Sequence, residues 1–336
     1  MQTMQTSYEF DSQAPSPVIH LSVIVPAHDE GPLLEEAIRS IQTAIWTVPA
    51  EQALSVETII ALDAPTTETL TEAENLSAEL PAVRVIRNLG PRGPGATRNA
   101  GVADATGEWL AFLDGDDRWR DNALRALRRG ITSYPDANWL AGDFTLLDHQ
   151  PGKQAKGGEL RHRPRTRQAL RNAYDRDVVI RLTSPLLLFL EVVLCHTITV
   201  FVRRSTFESV GGFDLRLTRA EDVHLWYRLA RLHDFHFVPE VIAEYRQRPS
   251  TINRRGHSPG HGGRQALTDL LTRREFAPYK KALRKRLARA CLEDCNHFRK
   301  NGKRLPAAAA ALSGLRRQPM ERQLWHQLAA VIMKWP

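Results

Sequence analysis

Trp109-Leu110-Ala111-Phe112-Leu113-Asp114-Gly115-Asp116-Asp117 decides how this chain folds. Five apolar residues without polar alternation make a strand buried on both faces, and the strand ends in three carboxylates within four residues. Carboxylates this close repel and raise one another's pKa unless a cation neutralises them. Mg2+ or Mn2+ does so, taking one or two carboxylates together with the oxygens of a diphosphate. An Asp- and Gly-rich turn has the same letters, so the segment has to be weighed with its surroundings.

Working outward, the same grammar repeats. Leu21-Ser22-Val23-Ile24-Val25 is a short apolar strand ending at Pro26, and residues 32–45 place Leu33, Leu34, Ala37, Ile38 and Ile41 at helical spacing. Residues 56–62 form a second strand closed by Asp63, followed by an acidic helix over 68–80. A third strand over 83–86 leads into the breaker-rich Gly90-Pro91-Arg92-Gly93-Pro94-Gly95 and a helix over 96–105. Alternating β and α at this spacing predicts a mostly parallel sheet flanked by helices, with ligands outside the carboxyl ends of the strands. Asp63, the 114–117 cluster, and Asp143 after a fifth strand at 139–141 all fall at such ends, which predicts one shared site.

Two further segments add chemistry. The loop before residue 96 opens a helix N-terminus, whose free N–H groups and partial positive charge suit an anion, with Arg92, Arg98 and Asn99 expected on the donor side. The spacing is not that of a dinucleotide fingerprint, because Arg98 stands where the third Gly would be, and no Walker sequence occurs. Glu221-Asp222 opens a predicted helix over 221–232, where capping explains one acid and a carboxylate facing a cleft explains a general base.

Charge is distributed unevenly. The formal net charge is +8, yet residues 1–260 hold 29 Lys and Arg against 33 Asp and Glu, and residues 261–336 hold 17 against 5. Three cysteines exclude a disulfide framework and point to a reducing compartment. The first 17 residues lack the basic start and apolar core of a secretory signal. The apolar stretch over 182–202 contains Pro185, Glu191 and His196, so it is expected as a buried helix plus strand rather than a membrane span.

Taken together, Ser22 to Glu30, Asp63, Ala96-Thr97-Arg98-Asn99-Ala100-Gly101, the 107–117 run, Gly211-Gly212-Phe213-Asp214 and Glu221-Asp222-Val223-His224-Leu225-Trp226 resemble the family 2 glycosyltransferases over about residues 19–253. The resemblance implies an α/β GT-A fold with a C-terminal helical extension, a nucleotide-diphosphate sugar donor (UDP-sugar favoured), Mn2+ or Mg2+, and inversion. It places Pro26, Ala27, Asp29 and Glu30 along the nucleotide, Asp63 near the base, and Asp114 and Asp116 at ribose and metal. Asp117 becomes a substitute ligand, Asp222 the catalytic base, and Glu221 its neighbour. Leu62 stands where the family usually has a first acid beside Asp63, and Arg248 where relatives often have His. The Gln-x-x-Arg-Trp element of processive synthases is missing, which favours transfer of one sugar, in polysaccharide or cell-envelope glycan synthesis.

The expected organisation is a flexible N-terminus (1–17), a catalytic domain (18–255), a linker (256–263) and a basic helical region (264–336). That last region reads either as a helical cap on the catalytic domain or as a basic amphipathic surface meeting an anionic membrane, the chain being cytoplasmic and peripheral at its inner face. The acceptor is expected to be a carbohydrate or lipid-linked glycan, and no nucleic-acid motif accompanies the charge. A sugar nucleotidyltransferase would carry a Gly-rich basic loop after strand one, where this chain has Pro26-Ala27-His28-Asp29-Glu30-Gly31. A catalytically degenerate binding scaffold would have no reason to keep both acidic elements.

Overall fold

The computed structural model of the chain describes residues 18–49, 54–147, 158–248 and 260–333. The expected flexible N-terminus and residues 256–259 of the expected linker lie outside them. The first half runs β1 (Ile19–Ala27), α1 (Leu33–Trp46), β2 (Leu54–Leu62), α2 (Thr67–Glu79), β3 (Val83–Arg87), α3 (Pro94–Asp104) and β4 (Trp109–Phe112). All pairings within this set of strands are parallel, in the order β3-β2-β1-β4. Val23, Ile24 and Val25 are fully buried, as a run without polar alternation requires. α1 buries Leu34, Ala37, Ile38, Ile41 and Ala44, a stripe at three- and four-residue spacing.

The second half is mixed rather than mostly parallel. β5 (Arg118–Trp119), α4 (Ala123–Ser133) and β6 (Trp139–Leu147) precede three short helices, α5 (Glu159–His162), α6 (Pro164–Ala169) and α7 (Arg171–Arg176). β7 (Ile180–Leu182), α8 (Leu186–Glu191), a 3-10 turn over Thr197–Thr199, β8 (Val200–Arg203), α9 (Arg204–Ser209), α10 (Glu221–Leu232) and β9 (Phe235–Arg246) complete it. The sheet continues β4-β8-β6-β9-β5, with β8 antiparallel to both neighbours, β6 and β9 parallel, and β7 on β9. Residues 235–246 form one strand although Pro239 lies within it. A register shift between Ala141 and Phe144 on β6 absorbs the irregularity around Pro239. The apolar 182–202 stretch is α8 plus β8, and among the described residues no helix is long and apolar enough to cross a membrane.

Packing ties the halves together. Trp139 stacks on Trp226 at 6.0 Å between ring centres and meets Phe235 at 4.7 Å and Phe189 at 5.2 Å, joining β6, α10, β9 and α8. Gly130 lets α4 close on the sheet, since a Cβ there would stand 2.7 Å from Leu140 Cδ2. The C-terminal helices are α11 (His261–Thr272), α12 (Lys280–Lys300), α13 (Arg304–Leu315) and α14 (Arg322–Ile332). α11 therefore begins inside the expected linker. Leu267, Leu270, Leu283 and Leu287 from α11 and α12 join the main core, whereas the far end of α12 forms a small second core with α13 and α14.

Candidate active site

Parallel pairing brings strand ends to one edge, and here it builds a cleft of about 520 Å3. Ala27 pairs with Leu62, and the Asp63 N–H continues the ladder to the Ala27 carbonyl at 2.9 Å, so Pro26 to Glu30 and Asp63 lie side by side. The Leu113 N–H bonds to the Ile24 carbonyl, which sets Asp114 and Asp116 beside them. Pro26, Ala27, Asp29, Glu30, Asp63, Arg92, Arg98, Asp114, Asp116, Glu221 and Asp222 all line the cleft, so the structure gathers most of the expected residues into one place. Asp63 Oδ2 accepts the Gly93 N–H at 2.8 Å, and Oδ1 faces Arg92 Nε at 3.5 Å, so this carboxylate anchors the glycine-rich loop. Gly115 is required by close approach: a Cβ there would sit 3.0 Å from Glu30 Cγ and 3.1 Å from the Pro26 carbonyl oxygen.

Arg98 organises the cleft. Only 5% of its side chain is exposed, Nη2 donates to Asp114 Oδ1 at 2.5 Å, and Nη1 donates to Glu221 Oε1 at 2.9 Å. Burial opposes its charge, but the two carboxylates, Asp114 first, outweigh that and raise its pKa. The guanidinium is thus committed to protein carboxylates. Arg98 ties the end of β4 to the start of α10, so it is not the uncommitted cation for a diphosphate that the sequence suggests.

The two adjacent acids at the start of α10 have different fates. Glu221 is buried, and its pKa is raised by that burial and by the charge of Asp222, with Arg98 opposing. Asp222 is partly exposed in the cleft, and its Oδ2 accepts the Thr197 hydroxyl at 2.9 Å. Ala220, the residue before the pair, adopts a left-handed φ of 54°, a strained conformation for a residue with a Cβ. His196 completes this side, its ring packed on Phe144 and Tyr245 at 4.7 and 4.8 Å. Burial lowers its pKa, and its Nδ1 has no hydrogen-bond partner. Nothing in the spacing around Thr197 and His196, within an apolar stretch, marks them as site residues.

Asp29, Glu30 and Asp116 also line the cleft. Burial, with Asp116 and Asp29 adding to it and the His28 N–H opposing, pushes Glu30 up to about 7. Burial and Asp114 push Asp116 up to about 6, even though Arg248 stands 3.3 Å from its Oδ2. Arg248 also reaches Asp29, with Nη2 donating to its carbonyl oxygen at 3.1 Å. Burial is the larger cause of both shifts, and the mutual repulsion of the neighbouring carboxylates adds to it. The donors of the site are hard oxygens, so Asp114 and Asp116 fit Mg2+ or Mn2+.

Three expectations are corrected by position. Asp117 is fully buried behind the cleft, where its Oδ1 accepts the Arg246 N–H at 2.6 Å, so it secures β9 rather than facing a ligand. Asn99 is outside the cleft lining and clamps the Gly212-Phe213 turn, donating to the Phe213 carbonyl at 2.8 Å and accepting its N–H at 3.0 Å. Asp143 is also buried, where it accepts the N–H groups of Leu160 and Arg161 and the Tyr174 hydroxyl and so anchors α5.

A second cluster lies beside α10. Asp214, His224 and Asp269 bring ligand atoms within 4.8 Å of one another, a spacing that suits a cation. Arg216 and Arg273 already bridge both carboxylates, with Arg273 at 2.7 Å from Asp214 and 2.6 Å from Asp269. Burial, then Arg228, pushes His224 down to about 4. The cluster is a neutralised brace between the Gly211–Asp214 turn, α10 and α11.

Residues 22–185 match the family described as glycosyl transferase family 2. A Campylobacter jejuni GalNAc(5)-diNAcBac-PP-undecaprenol beta-1,3-glucosyltransferase is 33% identical over 108 residues, 32% of this chain and 33% of that protein. The chain thus matches about a third of the length of that relative. Among solved structures, residues 1–349 of S. aureus TarS with UDP-GlcNAc superpose with a TM-score of 0.62 at 18% identity, over 94% of this chain and 89% of that one. The mannosyltransferase PcManGT of Pyrobaculum calidifontis, with GDP-Man and Mn2+, gives 0.54 at 19% identity over 95% and 86%. The fold is therefore GT-A, and residues 22–185 of the chain belong to glycosyltransferase family 2.

Proposed function

We propose that the chain transfers one sugar from a nucleoside-diphosphate donor, a UDP-sugar being favoured, to an acceptor hydroxyl with inversion at the anomeric carbon. The observation that carries this reading is the split between adjacent acids: Arg98 neutralises Glu221, while Asp222 faces the cleft that also holds Asp114 and Asp116. Asp222 takes the proton from the acceptor hydroxyl as its oxygen bonds to the anomeric carbon. The bond to the diphosphate breaks on the opposite face, and the electron pair leaves with the diphosphate. Thr197 holds the Asp222 carboxylate in register for that transfer. Arg92 and the N-terminus of α3 bring positive potential to the donor phosphates. Asp116, with Asp114 beside it, would hold a divalent ion, which when bound neutralises charge developing on the leaving diphosphate.

The acceptor we infer is a carbohydrate or lipid-linked glycan of the cell envelope, in keeping with the lipid-linked glycan in the C. jejuni relative's name. Thermal-shift screening of UDP-, GDP- and dTDP-sugars with Mn2+ tests the donor, since a ligand at 100 Kd stabilises by about 2.7 kcal/mol. NMR of the product tests stereochemistry. No stabilisation by any nucleotide sugar would overturn the donor reading, and a product retaining the donor's anomeric configuration would overturn inversion.

A further inference from the structure

The last two helices carry a surface that glycosyl transfer does not use. α13 and α14 pack against α12 through Ala307, Ala311, Leu315, Leu324, Leu328 and Val331. On α13 a second stripe, Leu305, Ala309 and Leu312, repeats at four and seven residues and is exposed. On α14, Trp325, Ala329 and Ile332 repeat at the same interval and are exposed too. Met320 between the helices and Met333 after them are 87% and 78% exposed. Each helix thus has one apolar stripe facing α12 and another facing solvent, with Trp325 at 53% exposure and Leu305 at 69%.

The charge around this face has one sign. Residues 299–333 contain seven Lys and Arg and a single acid, Glu321. Lys300, Lys303, Arg304, Arg316 and Arg322 are exposed, and none is paired with a carboxylate among the described residues. Arg274, Lys280, Lys281 and Arg284 are likewise exposed and unpaired among the described residues, whereas other basic residues of the C-terminal region are bound. In α12, Lys285 and Arg289 are bound to Glu191, and in α11, Arg264 is bound to Asp294. Positive charge without a carboxylate partner therefore surrounds the apolar side chains left in water.

We infer that the α13–α14 hairpin is a docking surface for a membrane carrying anionic headgroups. Leu305, Leu312, Trp325 and Ile332 enter the boundary between headgroups and acyl chains, and the surrounding Lys and Arg meet the lipid phosphates. Neither feature suffices alone: scattered apolar residues are normal on protein surfaces, and a basic rim is usually solvated. A second copy of the chain would bring the same positive charge against itself, which is why the lipid surface is favoured over self-association.

The test is flotation of the purified protein with vesicles of phosphatidylcholine alone or with 30% phosphatidylglycerol, a readout independent of transfer activity. Binding to the anionic vesicles should exceed binding to neutral ones by about tenfold or more and should weaken in high salt. The double variant Leu312→Glu/Trp325→Glu, and separately Lys303→Glu/Arg304→Glu, should each lose about tenfold while melting at the wild-type temperature. Equal binding to both vesicle types, or wild-type binding by either variant, would overturn the inference. A dimer in analytical ultracentrifugation that Leu312→Glu/Trp325→Glu makes monomeric would also overturn it, by identifying a second copy as the occupant.

Discussion

Arg248 is the side chain whose removal should say most about the cleft. Its guanidinium stands 3.3 Å from Asp116 and 3.5 Å from Asp29, with 14% of it exposed, so it already occupies part of the charge demand a metal would meet. A unit-charge pair at 4 Å is worth about 4 kcal/mol at an effective dielectric of 20, and solvent at the open side of the cleft reduces that. A divalent ion arriving at Asp116 both loses this partner's help and feels its repulsion. Replacing Arg248 by Gln should therefore tighten Mn2+ binding to the nucleotide-free protein by ten- to a hundredfold, or about 1.4–2.7 kcal/mol. Titration of free Mn2+ by electron paramagnetic resonance measures this directly. The measurement belongs at pH 8, because losing Arg248 removes an influence that lowers the pKa of Asp116 and so raises it further above about 6. An unchanged Mn2+ affinity would refute the assignment of Arg248 as a resident counter-ion. Arg248→Lys should stay close to wild type, since it keeps the charge.

Other consequences can be checked in the same preparation. Asp222→Asn should lower kcat by roughly 10^2–10^4-fold with nucleotide affinity retained, and Thr197→Val should give a smaller loss; unchanged turnover in Asp222→Asn would remove it as the base. Arg98→Ala leaves two carboxylates without their buried partner and should cost about 3–5 kcal/mol in urea unfolding, with Arg98→Lys recovering only part because one ammonium cannot reproduce the fork. Glu30, moved from 4.5 to about 7, keeps its proton in the folded chain where the unfolded chain has lost it. The stability it lends is full below about 4.5 and declines as pH rises to about 7. Glu30→Gln should thus be more stable than wild type at pH 8 by up to about 3 kcal/mol and equal to it at pH 4, and a pH-independent difference would contradict this origin.

The strands that build the cleft are legible because they are buried on both faces: at 59–62 and 109–113 the apolar run is unbroken, and at 21–25 only Ser22 interrupts it. The strand-end acids were legible as a set but not individually. Asp114 and Asp143 follow similar apolar runs, yet one faces the cleft and the other turns inward to hold α5. The same limit applies to Arg98 and Asn99. Neighbours on a helix point about 100° apart, so one reaches Glu221 and the other clamps Phe213, and letters alone do not say which. Thr197 and His196 were hidden because they enter the site only when β8 is laid antiparallel between β4 and β6, a long-range pairing with no local signature. A proline inside a run such as 235–246 ordinarily argues for a break, but in β9 a register shift against β6 accommodates Pro239.

The brace beside α10 bears on how the chain can be divided. A truncation after residue 248 would keep every residue lining the cleft, and by that measure would count as a complete catalytic unit. It would also remove Asp269 and Arg273, leaving His224 and Asp214 without the partners that fix the helix carrying Asp222. The C-terminal region is thus the outer half of a brace whose inner half carries the proposed base. Any exchange of α10 between relatives should carry α11 along with it, as one transplantable piece.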